Sequence, residues 1–83
     1  MATQSVTKRV DFRLIPVVDM KLLSVQEGVN ASFAIGDADC LDDAVRQLLQ
    51  EAMDDGMDPS VAWLCNFAMQ TAYALREAAG VVA

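Results

Sequence analysis

The chain has 83 residues, is 54% hydrophobic and carries a net charge of −6. That length supplies one domain, at a size where a single core is marginal and oligomerisation is a common supplement. The apolar content excludes a disordered chain, and the acidic balance argues against nonspecific nucleic-acid binding, which draws its affinity from a basic surface.

The charge is unevenly placed. Lys8, Arg9, Arg13 and Lys21 against Asp11 and Asp19 give +2 up to Ser24, so the remainder carries −8. Residues 1–9 read as a disordered leader, because Thr, Gln, Ser and Lys dominate and no apolar period has begun. Residues 10–83 read as a single helical-hairpin domain that opens with an extended segment over 10–26. There Val10, Phe12 and Leu14 alternate with Asp11 and Arg13, the period-2 signature of a half-buried strand. Pro16 ends it or places it at an edge. Val17-Val18 and Leu22-Leu23-Ser24-Val25 are further β-prone pieces and Glu27-Gly28 supplies a turn, so a small hairpin or an extended arm is expected. An exposed edge there could pair with a second copy.

The first helix is predicted over about 30–55. It starts near Asn30 or, if Gly36 breaks the run, is re-initiated with Asp37 as N-cap. Leu41, Ala44, Val45, Leu48, Leu49, Ala52 and Met53 recur at steps of three and four and form its apolar face. Asp42, Asp43, Arg46, Gln47, Gln50 and Glu51 fill the opposite face. Asp54-Asp55-Gly56 stops the helix, with Gly56 a good residue past its end.

The second helix, about 59–79, starts with Asp58 as N-cap and Pro59 at the first helical position, where a missing N–H costs no hydrogen bond. Gly80 ends it. So short a connection makes the two helices an antiparallel hairpin. At 100° per residue Trp63, Phe67, Leu64, Leu75, Cys65, Met69 and Tyr73 cover most of the cylinder, and Asn66, Gln70 and Glu77 make the clean polar wedge. A helix apolar nearly all round must be covered from more than one side. The fold class expected is therefore mainly α: an antiparallel two-helix hairpin with a short extended or β N-terminal segment, dimerising into a four-helix bundle. The interface residues expected are Trp63, Phe67, Met69, Tyr73, Leu64 and Leu75, with the Trp63 stripe serving as homodimer core or partner site.

Leu23-Ser24-Val25-Gln26-Glu27-Gly28-Val29, Cys40-Leu41-Asp42-Asp43-Ala44-Val45 and Asp55-Gly56-Met57-Asp58, together with Trp63 and the segment 72–79, resemble a family of short uncharacterised proteobacterial proteins. That family, frequent in pseudomonads, is catalogued as a domain of unknown function. The resemblance covers about residues 22–80 and departs at Ala34-Ile35-Gly36, where the family keeps a good helix-forming run. It implies a compact helical fold in a bacterium or one of its phages and carries over no catalytic residue.

Seven acidic residues lie from Asp37 to Asp55, but an EF-hand started at Asp37 would put Leu41, Asp42 and Leu48 at its fifth, sixth and twelfth positions, and the match fails. No metal and no cofactor is expected. The chain has no histidine and two cysteines, Cys40 and Cys65, without metal-ligand spacing; both are expected to be buried thiols, with a disulfide between them as the alternative, and neither has an imidazole partner. No catalytic residue is assigned and no enzyme is expected. No start-of-chain segment reads as a signal peptide, and no run approaches the ~18 apolar residues of a membrane span, so the expected compartment is the cytoplasm, with no membrane partner.

Binding remains. The expected function is a small acidic noncatalytic protein-binding module, a bacterial or phage-encoded inhibitor or adaptor that forms a homodimer and docks on a host protein without contacting nucleic acid directly. One alternative is a nucleic-acid mimic that presents Asp42, Asp43, Glu51, Asp54 and Asp55 in place of phosphates. The other is a purely structural homodimer.

Overall fold

The computed structural model describes residues 5–81. Two strands, β1 (Val10–Ile15) and β2 (Met20–Val25), precede two helices, α1 (Ala31–Asp55) and α2 (Pro59–Ala78). The strands pair antiparallel with Val10 opposite Val25 and Ile15 opposite Met20. The fold is mainly helical with a two-stranded sheet at its N-terminal side. Pro16 to Asp19 form the hairpin loop. The Val18 N–H donates to the Ile15 carbonyl at 3.2 Å, and Pro16 stands at the turn position its fixed φ suits. Val17-Val18 is therefore loop, not strand.

The start of the chain is tied down where it is described. Residues 1–4 of the expected leader lie outside the described residues, but Thr7 is buried. Its N–H donates to the Val29 carbonyl at 2.7 Å and its carbonyl accepts from Gly28 N–H at 2.9 Å. Its hydroxyl donates to the Gln26 carbonyl at 2.6 Å and accepts from Val29 N–H at 3.1 Å. Lys8 N–H donates to the Ala78 carbonyl at 2.9 Å, fixing the entry to β1 against the end of α2. A polar stretch without period is ordered because its backbone groups and one hydroxyl find partners, a signal that hydrophobic patterning does not carry.

Asn30 caps α1, its side-chain oxygen accepting from Ser32 N–H at 2.9 Å. Gly36 does not interrupt the helix, so re-initiation at Asp37 does not occur. The cost of one glycine, about 1 kcal/mol relative to alanine, is outweighed by the burial of Ala31, Ala34 and Ala38 on either side of it. Gly56, at φ 82°, closes the helix. Asp58 caps α2 by accepting from Ser60 N–H at 3.1 Å, with Pro59 following. At the far end Val81 N–H donates to the Arg76 carbonyl at 2.8 Å and Gly80 N–H to the Glu77 carbonyl at 3.1 Å. With Gly80 at φ 84°, this is the Schellman arrangement that uses up two orphan carbonyls.

The helices pack antiparallel through small residues. Ala31 and Ala34 meet Ala79 with Leu75 beside them, and Val45 meets Cys65 and Ala68 with Leu41, Leu48 and Val61 around them. The hairpin lies on a second face of α2, where Val10 packs on Ala74 and Ala78 with Phe12 and Val25 alongside. The buried apolar residues of the described chain are alanines, Val10, Val45 and Cys65, and no large side chain is fully buried. Leu49, Met53, Met57, Trp63, Leu64, Met69 and Tyr73 remain exposed. The broad apolar face expected for α1 is thus a narrow buried stripe, because Leu49 and Met53 each step about 40° further round the cylinder from buried Val45 and so turn away from α2.

The resulting shape is flat, 41 × 33 × 18 Å, with a radius of gyration of 14.3 Å, against about 12 Å for a compact chain of this length. The accessible surface is 5906 Å², whereas a self-contained 9.0 kDa monomer exposes about 4,900 Å².

Candidate interaction surface

The first element of the surface is built around a strand residue that breaks alternation. Arg13 has φ 71°, a left-handed conformation that costs a non-glycine residue about 1–2 kcal/mol. Along β1 the side chains more shielded from solvent are those of Val10, Phe12, Arg13 and Ile15. Strict alternation predicts Val10, Phe12 and Leu14 inside, yet Leu14 is 52% exposed and Arg13 is turned toward α2. Its guanidinium donates to Gln70 Oε1 at 2.8 Å. It also lies 5.1 Å from the Trp63 ring centroid and 5.2 Å from that of Phe67. Those two rings, one turn apart on α2, stack with centroids 5.4 Å apart and planes 3° from parallel. Arg13 thus sets one cation over two aromatic rings while donating to Gln70, a combination that suits the several donors and delocalised charge of a guanidinium better than a compact ammonium.

The second element is a ridge. Met69 and Tyr73, 54% and 61% exposed, stand one turn apart on the side of α2 that neither α1 nor the hairpin covers. An open groove of about 480 Å³ runs along one flank of the ridge, lined by Phe12, Arg13 and Lys21 of the hairpin and by Met69, Gln70 and Tyr73 of α2 among others. A second groove of about 300 Å³ runs along the other flank, lined by Met69, Tyr73, Arg76, Asp42 and Val81.

The third element is a clamp between the helices. Arg76 Nη2 bonds Asp39 Oδ1 at 2.8 Å and Asp42 Oδ2 at 2.6 Å. These hydrogen bonds, Asp39's first, raise the Arg76 pKa above the ordinary arginine value, so the guanidinium stays charged at any working pH. Asp43 pairs with Arg46 at 3.3 Å on the exposed side of α1.

The residues expected at one interface therefore separate. Leu75 packs in the intramolecular core beside Ala31, Ala34 and Ala79. Trp63 and Phe67 belong to the hairpin junction, Leu64 is exposed, and Met69 with Tyr73 forms the ridge. Of the acidic set, Asp42 is half-buried and engaged by Arg76, while Asp43, Glu51, Asp54 and Asp55 are exposed. Cys65 is buried as expected for a small hydrophobe, but Cys40 is exposed and both thiols are free. Position 40 falls outside the 31–34–38–41–45 stripe that faces α2, which is why burial fails there.

Two contacts of this surface lie outside the sequence expectations, and one of them could have been foreseen. Arg13 sits on the expected outer side of a regular strand, and only its left-handed backbone turns it inward. Arg76 was recoverable: it is a lone cation late in α2, and an antiparallel hairpin brings it opposite the aspartates at 39 and 42 on α1. Among the described residues no three Cys, Asp or Glu side chains converge as a metal site, and no helix is long and apolar enough to cross a membrane. Comparison with known proteins finds no matching family model, no matching curated protein and no matching solved structure.

Proposed function

We propose that this chain is a noncatalytic protein-binding module that self-associates and docks on a host protein as an inhibitor or adaptor. The observation that carries the reading is an inversion of the usual burial order. The chain encloses alanines and leaves Trp63, Leu64, Met69, Tyr73 and Phe33 in contact with solvent. Fully burying one such large side chain is worth about 1.5–3 kcal/mol, a large share of the net stability of a domain this short. Large contiguous apolar exposure on a folded chain marks a surface made for another protein. Two apolar surfaces are available, the α2 ridge and the outer side of the hairpin with its loop, where Val17, Val18, Met20 and Leu22 are exposed. One serves self-association, which brings two helical hairpins together as a four-helix arrangement, and the other anchors the partner.

An apolar anchor is favoured over imitation of a nucleic acid. A mimic needs an extended open array of negative charge, but Arg76 engages Asp42 and Arg46 stands beside Asp43, which leaves Glu51, Asp54 and Asp55 open at the end of α1. The test is affinity capture from a bacterial lysate with the tagged protein and with a Leu22→Glu variant, washed at low and high salt. The reading expects one protein that the wild type retains through the high-salt wash and that the variant loses. A partner retained only at low salt would support mimicry instead, and recovery of the chain alone would leave a structural homodimer.

A further inference from the structure

We infer that the Met69–Tyr73 ridge of α2 is the centre of a two-fold interface with a second copy of this chain. The inference rests on the reading of the chain as a self-associating module and assigns the surface that does it. Burial is the first argument. Met69 and Tyr73 are 54% and 61% exposed, and fully burying a large apolar side chain against a second copy is worth about 1.5–3 kcal/mol.

Shape is the second argument. Met69 and Tyr73 make an i, i+4 row with a groove on each flank, and both grooves are walled by the same two side chains. A row flanked by grooves is self-complementary. Related by a two-fold axis, the row of one α2 enters the groove of the other and receives the partner's row in return, the commonest ridges-into-grooves packing of helices.

Charge is the third argument. The first groove carries Lys21 on the hairpin and Glu77 on α2, so an isologous contact can bring the lysine of one copy toward the glutamate of the other. The outer side of α1, with Asp43, Glu51, Asp54 and Asp55 against Arg46, would repel its own copy. Trp63 and Phe67 are already stacked on each other and capped by Arg13; they hold the hairpin in place and lie outside the proposed contact.

The test is sedimentation equilibrium of the purified full chain as wild type, Met69→Glu, Tyr73→Glu and Leu22→Glu, with far-UV circular dichroism to check helicity. The wild type is expected to be dimeric, the two ridge variants to be helical with dimerisation weakened at least about tenfold, and Leu22→Glu to dimerise as the wild type does. Because a ridge variant that lost its partner could also lose its fold, a Met69→Cys, Cys40→Ser chain is oxidised in parallel. It is expected to form a disulfide-linked dimer, whereas Leu22→Cys, Cys40→Ser is not. A dimer indifferent to both ridge substitutions, or cross-linked at position 22 and not at 69, overturns the assignment and leaves the self-association reading standing. A wild type that is monomeric at every concentration overturns both.

Discussion

The Arg13 guanidinium lies 5.1 Å from the Trp63 ring centroid, reached from a backbone at φ 71°. A strand residue is held in a costly conformation, and the return is a cation seated on an aromatic stack that joins the hairpin to α2. Replacing Arg13 with alanine removes the cation from the aromatic stack and the bond to Gln70 but keeps the unfavourable φ. Arg13→Ala is expected to lower stability by about 1–2 kcal/mol. Arg13→Gly, which adopts positive φ freely, is expected to be the more stable of the two by about 1 kcal/mol. Urea denaturation of both variants measures this. Trp63 is the sole tryptophan, so its emission reports the loosened junction directly. An Arg13→Gly variant less stable than Arg13→Ala by about 0.5–1 kcal/mol, the cost of glycine's freer unfolded chain, would show that the backbone stores no strain there.

Gly36 lies inside α1 with open space where a Cβ would project. Gly36→Ala is therefore expected to stabilise the chain by about 0.5–1 kcal/mol through helix propensity and a less disordered unfolded state. Thermal denaturation should register it as a rise of a few degrees, about 4–8 °C per kcal/mol for a domain of this size. A fall would mean that α1 needs the glycine for a bend or a close approach.

The alanine seam between the helices tolerates no added volume. Ala38 and Ala72 are almost completely buried, and a leucine at either would have to push the helices apart. Ala38→Leu and Ala72→Leu are each expected to cost about 1–3 kcal/mol, read from chemical denaturation. Met53→Ala, at a residue 84% exposed, should change stability by less than about 0.5 kcal/mol.

The Arg76 clamp has a definite pH signature. Its folded pKa is raised above the unfolded value, by Asp39 first and Asp42 second. The stability it contributes is therefore fully present below the ordinary arginine pKa and is lost only as pH rises through the raised value. Stability between about pH 6 and pH 9 should carry no Arg76-dependent slope. The pair is partly exposed, with 29% of the Arg76 side chain in solvent, so screening is strong. Arg76→Ala is expected to cost about 0.2–1 kcal/mol per ion pair lost, and less in high salt. Denaturation of wild type and Arg76→Ala at several pH values and two salt concentrations checks both statements.

Much of the fold was legible because it is written in local chemistry. Asn30, Gly56, Asp58-Pro59 and Gly80 mark the helix ends, and each acts through a backbone bond to the adjacent turn. The hairpin was legible from Pro16 and the flanking apolar runs. What was not legible depends on non-local contact or on one unusual dihedral. Thr7 is ordered by partners about 20 residues away in sequence. Leu14 and Arg13 exchange sides because of a single φ, and Cys40 misses the seam because small residues make it narrow. The candidate surface was legible as an excess of apolar residues on α2. Its division into an intramolecular part around Leu75, a hairpin junction at Trp63 and Phe67, and an open ridge at Met69 and Tyr73 required knowing where the hairpin sits.

The central claim is that one chain does not bury enough to stand alone and is completed by a second. The most direct measurement is the thermal midpoint of the purified protein over a hundredfold range of concentration. If folding and association are one process, the midpoint rises with concentration, because a hundredfold change contributes about 2.7 kcal/mol to the stability of the associated state. A midpoint independent of concentration, with a sharp transition from a folded monomer, would contradict the account.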